Sequence, residues 1–232
     1  MGFQRLESYS RGMPDQVKGR RQAQSDATRA EVLAAAGRLF LARGYAATTI
    51  AAVAAEAGVA VQTIYNSVGG KARLLEGVLG TAAAGDAGPQ GVVERELAAG
   101  AELLDPVRFL ERAASSVADR VARVGPVLSV VQAAASSGDA GAAELAERSS
   151  AQRMQGLRLM VRELRARGGL RAGLSDDDAA ALAWSLSSAQ TYRQLVAVQG
   201  WSQARYRRWL TDAWMAALTD GRVEPPDRSG GP

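Results

Sequence analysis

Glycines set the grain of the N-terminal third. Gly44, Gly58 and the pair Gly69-Gly70 interrupt a stretch whose other residues favour helix. The pieces between them carry apolar residues three and four apart. Val32, Leu33, Ala36, Leu39 and Phe40 define a first helix, about residues 26–43, with Ser25 as N-cap and Gly44 as stop. Thr48 and Thr49 open a second, about 49–56, with Ile50, Val53 and Ala54 inward and Gly58 at its end. A third covers about 61–67. A fourth starts at Lys71, with Leu74, Leu75 and Val78 on one face. Two short helices across a tight glycine-bearing turn, braced by a longer one before them, make a helix-turn-helix pattern.

The rest of the chain also reads as helix. Residues 1–24 are polar and aperiodic, the pattern of a flexible basic tail. Residues 85–91, GDAGPQG, read as a loop, and 92–104 as an irregular connector. Asp105-Pro106 is a strong helix start, N-cap followed by Pro at the first helical position. Helices are expected at about 106–123, 125–137 and 140–167, the last stopped by Gly168-Gly169. Ser175 caps a helix of about 176–198 whose first turn holds Asp176, Asp177 and Asp178. Gly200 ends it, and Ser202 caps a last helix to about 218. The expected fold is all-α, with about nine helices. It divides into a tail (1–24), a three-helix helix-turn-helix domain (25–70), a helical domain (71–219) and a disordered tail (220–232).

Composition excludes much chemistry. The chain has no Cys and no His, which removes disulfides, thiolate or imidazole metal ligation, and Ser–His or Cys–His nucleophiles. Asp176, Asp177 and Asp178 are adjacent, so on a helix they point apart and make no catalytic pair. Gly-Gly-Lys at 69–71 fails as a P-loop. Its first glycine position is Tyr65, its Ser/Thr position is Ala72, and no strand precedes it. No catalytic residue, metal site or cofactor is expected, and the chain reads as no enzyme. The N-terminus lacks an apolar signal region and no apolar run spans a membrane, so a soluble cytoplasmic protein is expected.

Charge points to an anionic partner. Residues 1–75 hold ten Lys and Arg against five Asp and Glu, while the remainder is nearly balanced. A recognition helix reads base edges with side chains near its N-terminus. Val61, Gln62 and Thr63 stand there. Gln62 can bond adenine twice, and Val61 or the Thr63 methyl can touch a thymine methyl. Asn66 shares this helix. Tyr65 and Lys71 reach phosphates on either side, and Thr48 or Thr49 meets another. Lys71 of Gly-Gly-Lys thus serves a DNA phosphate. Tyr65 reads equally as a packing tyrosine with a wet hydroxyl. Arg20 and Arg21 read either as a solvated tail or as a minor-groove arm.

Residues 28–75, TRAEVLAAAGRLFLARGYAATTIAAVAAEAGVAVQTIYNSVGGKARLL, resemble the DNA-binding domain of the tetracycline-repressor (TetR) family. The shared features are Arg-Gly-Tyr, Thr-Thr, Ala-x-x-Ala-Gly-Val, Thr-Ile-Tyr and a Lys opening the fourth helix. The family's usual Ser cap is Ala60 here, and its common His-Phe after Tyr is Ser67-Val68. The resemblance implies a homodimeric, ligand-responsive regulator, a repressor on a palindromic duplex operator. A helical ligand-binding or scaffold protein that has lost specific DNA binding is the alternative, supported by Ala60.

The resemblance also implies a four-helix dimer interface from 176–198 and 203–218. Its candidate residues are Ala183, Leu186, Leu195, Trp209, Leu210, Ala213, Trp214 and Ala217. A small-molecule effector pocket is expected among the middle helices. Its candidate liners are Phe109, Val131, Gln132, Met154, Leu157, Trp184 and Tyr192, which read equally as ordinary core.

Overall fold

A computed structural model describes residues 13–84 and 105–221. The expected loop at 85–91, the connector at 92–104 and the outermost parts of both tails lie outside the described residues. The described chain holds nine α-helices and no strand: α1 (Met13–Ala47), α2 (Ile50–Ala57), α3 (Val61–Ser67), α4 (Lys71–Ala84), α5 (Pro106–Ser136), α6 (Ala140–Ala166), α7 (Asp176–Leu186), α8 (Ala189–Tyr192) and α9 (Gln203–Leu218). A π-helical turn, Arg193–Val198, continues α8. The chain divides into two compact units, Met1–Val78 and Leu79–Pro232. No described helix is long and apolar enough to cross a membrane.

In the first unit, α1, α2 and α3 pack on one another. Val32, Ala35, Ala36, Leu39 and Phe40 of α1 are buried with Val53, Ala54, Ile64, Leu74, Leu75 and Val78. The glycine stops hold. Gly44 breaks helical geometry near the end of α1, and Gly58 closes α2 in the left-handed conformation. Gly77 has a different task. A Cβ there would lie 2.5 Å from Leu33 Cδ2, so a larger residue would make the Leu33 side chain turn aside.

Ser25 does not begin α1. The helix starts at Met13, so residues 13–24 are helix rather than flexible tail. Lys, Arg, Gln and Ala in that stretch are good helix formers.

The second unit departs from expectation twice. The helices expected at 106–123 and 125–137 are one helix, α5, with Pro126 inside it. Pro126 removes one backbone donor, a cost of about 3 kcal/mol in a helix interior. Val121, Val124, Val127 and Val131 are all buried along the same face, and that packing holds the helix together. Conversely, the helix expected over 176–198 breaks at Ser187, and Ser188 caps α8 by accepting from Thr191 N–H. The number nine therefore agrees only because one fusion cancels one break.

The core of this unit is Phe109, Leu110, Ala113, Ala114 and Ala118 on α5, Leu157, Met160, Val161 and Leu164 on α6, Ala179, Ala180 and Ala183 on α7, and Tyr206, Leu210, Trp214 and Leu218 on α9. Alanines facing α9 leave room for its aromatic rings. Asp105 and Ser202 cap α5 and α9 as expected, and Ser175 caps α7. Asp176 and Asp177 pair with Arg165 and Arg158 in exposed ion pairs. This gives them a structural use and little energy.

Candidate nucleic-acid interface

The third helix is only seven residues long, so its faces are set by few side chains. Ile64 is fully buried and anchors it against α1 and α2. That fixes the opposite face outward. Val61 is 41% exposed and Tyr65 51%, with Gln62 and Asn66 beside them. These large side chains therefore stand clear of the packed core on one face of a short helix. Gln62 Nε2 donates to Asn66 Oδ1 at 3.0 Å, one turn along, so the two amides sit as a pre-ordered pair. Thr63 is half-buried. It lines an open groove of about 340 Å³ between α1 and α3, together with Gln24, Ser25, Thr28, Asn66 and Ser67. Every lining residue carries a hydroxyl or an amide.

The two threonines before α2 part company. Thr49 is exposed and caps the helix, its hydroxyl accepting from Ala52 N–H at 3.1 Å. Thr48 is 1% exposed, and its hydroxyl donates to the Gly44 carbonyl at 2.8 Å. It braces the turn between α1 and α2 from inside, so its side chain does not reach a phosphate.

Lys71 opens α4, where the helix dipole disfavours a cation. Two contacts hold it. Its Nζ donates to the Ala46 carbonyl at 3.2 Å and lies 4.3 Å from the Tyr45 ring centroid. Tyr45 in turn packs on Phe40, with ring centroids 5.6 Å apart. Lys71 is therefore fastened to the end of α1 with hydrogens left to give.

Sequence reading missed the other fastenings. Arg29 Nη1 donates to the Ser67 carbonyl at 2.6 Å and holds the C-terminal end of α3. Arg38 pairs with Glu56 at 3.0 Å and ties α1 to α2. Both partners are far apart in sequence, so no local pattern could have shown them. Ala60, as expected, gives α3 no side-chain cap. Arg20 is exposed on α1.

In the second unit the candidate residues scatter. Phe109 and Val131 lie on one continuous helix, and at ~1.5 Å per residue they are about 33 Å apart. One small-molecule pocket does not take both. Gln132 is exposed. Phe109 and Leu157 belong to the packed core, Phe109 beneath the Arg167 guanidinium at 4.3 Å. Met154, Trp184 and Tyr192 are half-buried, and each packs against that core. Of the proposed interface, Ala183, Leu210 and Trp214 are fully buried within the chain itself. Leu210 and Trp214 lie on α9, which packs on α5 and α7, and Ala183 lies on α7, which packs on α6 and α9, so all three are core. Leu186, Leu195, Trp209, Ala213 and Ala217 are half-buried, and sequence reading missed the exposed Leu182 (38%) and Val198 (57%).

The comparisons agree with this geometry. Residues 32–78 match the model of bacterial regulatory proteins, tetR family. No curated protein matches. Among solved structures, NalD of Pseudomonas aeruginosa, the secondary repressor of the MexAB-OprM multidrug efflux pump, superposes with a TM-score of 0.64 at 18% identity, covering 84% of this chain and 98% of that one. A Saccharomonospora viridis protein assigned as a transcriptional regulator, in complex with choline, gives 0.63 at 19% identity over 84% and 99%. The SmeT–triclosan complex gives 0.63 at 18% identity over 89% and 98%. Residues 32–78 are thus a tetR-family N-terminal domain, and the chain as a whole carries the fold of tetR-family regulators.

Proposed function

We propose that this protein is a dimeric transcriptional repressor that binds a palindromic operator and is released by a small molecule. The observation that carries this reading is the outward face of α3. Val61, Gln62, Tyr65 and Asn66 are exposed on a helix whose other side is locked by Ile64 and Arg29. In this reading Gln62 and Asn66 meet base edges, Tyr65 and Lys71 meet phosphates, and Thr49 meets a phosphate beside the start of α2.

Dimerisation supplies the second half-site contact, about one DNA turn away. Leu182 and Val198 are large apolar groups left in water, on the elements the family uses for pairing. Changing both to Glu is expected to leave the helical content intact and to convert the dimer to monomer in light scattering. A dimer that survives both changes places the interface elsewhere.

Release works by population shift. The duplex accepts one separation of the two α3 helices, and an effector that favours another lowers DNA affinity by its differential binding to the two states. Neighbours of the same fold carry choline and triclosan, which supports a small-molecule effector here.

The test is selection from a random duplex library with wild-type protein, Tyr65→Phe and Lys71→Ala at two salt concentrations. A palindromic site, bound more weakly by both variants and at high salt, is the expected outcome. Salt-sensitive binding without any enriched sequence, equal in all three proteins, overturns it. The alternative of a ligand-binding protein without specific DNA binding then stands, consistent with the uncapped α3.

A further inference from the structure

Arg153 stands in an apolar register. The buried face of α6 runs through Ala142, Leu145, Leu157, Met160, Val161 and Leu164. Arg153 lies eight residues after Leu145 and four before Leu157, on the same stripe. Its Nη2 donates to the Trp184 carbonyl at 2.6 Å and to the Ser187 hydroxyl at 2.9 Å. The guanidinium carbon lies 4.9 Å from the Trp184 ring centroid. Its Nε and Nη1 hydrogens have no protein acceptor, and no carboxylate among the described residues pairs with it. Burial lowers its pKa from 12.5 to about 10. Arg153 is half-buried, and a cation drawn this far into an apolar face is normally paired with a carboxylate.

A second donor without an acceptor lies within reach of its charge. Tyr206 is wholly buried, its hydroxyl makes no hydrogen bond, and it is electrostatically coupled to Arg153. Burial raises its pKa, so the hydroxyl keeps its proton. Trp184, over which Arg153 lies, has a buried indole N–H that is likewise unsatisfied. The neighbouring polar groups are engaged with one another. Tyr192 packs edge-on against Tyr206 at 4.9 Å and donates its hydroxyl to Gln203 at 2.9 Å, and Gln203 donates to the Ala118 carbonyl at 3.2 Å. The region holds one cation and two neutral donors, and among the described residues no carboxylate bonds to any of them.

We propose that Arg153 and the Tyr206 hydroxyl form the polar end of the effector site, receiving the carboxylate of an amphipathic organic acid whose apolar body lies along Trp184 and Met154. A carboxylate matches the single cation, whereas a phosphate dianion leaves one charge uncompensated. The proposal rests on the reading of this unit as effector-binding.

The experiment titrates full-length protein with straight-chain carboxylates from butyrate to decanoate and with benzoate. Each is set against its methyl ester, and inorganic phosphate is a further arm. Intrinsic tryptophan fluorescence and thermal melting read binding in wild type, Arg153→Met and Tyr206→Phe. At least one acid is expected to bind and raise the melting temperature, while its ester and phosphate do not. Arg153→Met is expected to lose at least tenfold in affinity for that acid and Tyr206→Phe about tenfold, converting at 1.4 kcal/mol per decade to the strength of a hydrogen bond to a charged group.

Absence of binding by every acid, equal binding of acid and ester, or unchanged affinity in Arg153→Met overturns the proposal. If Arg153→Met does not fold, Tyr206→Phe decides, and wild-type affinity in that variant overturns it. Failure of the wider reading is separable. Acid binding through Arg153 without an enriched DNA sequence removes the regulator and leaves this site. Specific DNA binding without any acid binding removes this site alone.

Discussion

Thr48 and Tyr206 are both buried hydroxyls, one in each compact unit, and the fold treats them in opposite ways. Thr48 donates to the Gly44 carbonyl and closes a turn. Tyr206 donates to nothing, and the indole N–H groups of Trp184 and Trp214 share its condition. Each unsatisfied buried donor costs about 1–3 kcal/mol. The unit bearing α3 therefore spends its polar groups on holding one shape. The larger unit carries unspent donors at the place where Arg153 is half-buried. Complete satisfaction suits a part that must present a fixed surface, and incomplete satisfaction suits a part that awaits a guest.

The largest effect that can challenge this contrast is Trp214→Ala. As a core residue of one chain, Trp214 should cost about 3–5 kcal/mol on truncation, seen as a lower urea midpoint. The loss should not depend on protein concentration. A loss that vanishes at high concentration would return Trp214 to the dimer interface.

Next comes a matched pair of hydroxyl deletions. Thr48→Val should destabilise by about 1 kcal/mol, because the Gly44 carbonyl loses its donor. Tyr206→Phe should stabilise the unliganded protein by a similar ~1 kcal/mol, because it removes an unpaired donor and keeps the ring. Chemical denaturation of both variants reads the signs, and two losses would erase the comparison.

The smallest effect is Ala60→Ser. A hydroxyl there caps the bare N-terminus of α3 and should add about 0.5–1 kcal/mol. Unchanged stability by the same measurement would mean that other contacts already satisfy that end.

The first unit was legible because its punctuation is local. Gly44, Gly58 and Gly69-Gly70 force turns whatever surrounds them, and α3 begins and ends where the sequence places it. The second unit obeys distant forces. Pro126 is a local breaker overruled by four buried valines, while the break after Leu186 has no glycine or proline to announce it. It coincides with Arg153, more than thirty residues away in sequence, bonding the Trp184 carbonyl and Ser187. Pocket candidates chosen for bulk scattered over four helices, Phe109 and Val131 standing about six turns apart on α5 alone. Arg153 was passed over as one arginine in an arginine-rich helix. Its signal was register rather than residue type, since it interrupts an apolar stripe.

Gly77 has a mechanical consequence. Leu33 packs where its side chain would be, so the contact between α4 and α1 at this point is side chain against backbone. Lys71, clasped to Ala46 and Tyr45, closes the same joint from its other end. A turn of α4 reaches α1 through these two contacts, and α1, α2 and α3, which pack on one another, carry it to the exposed face of α3.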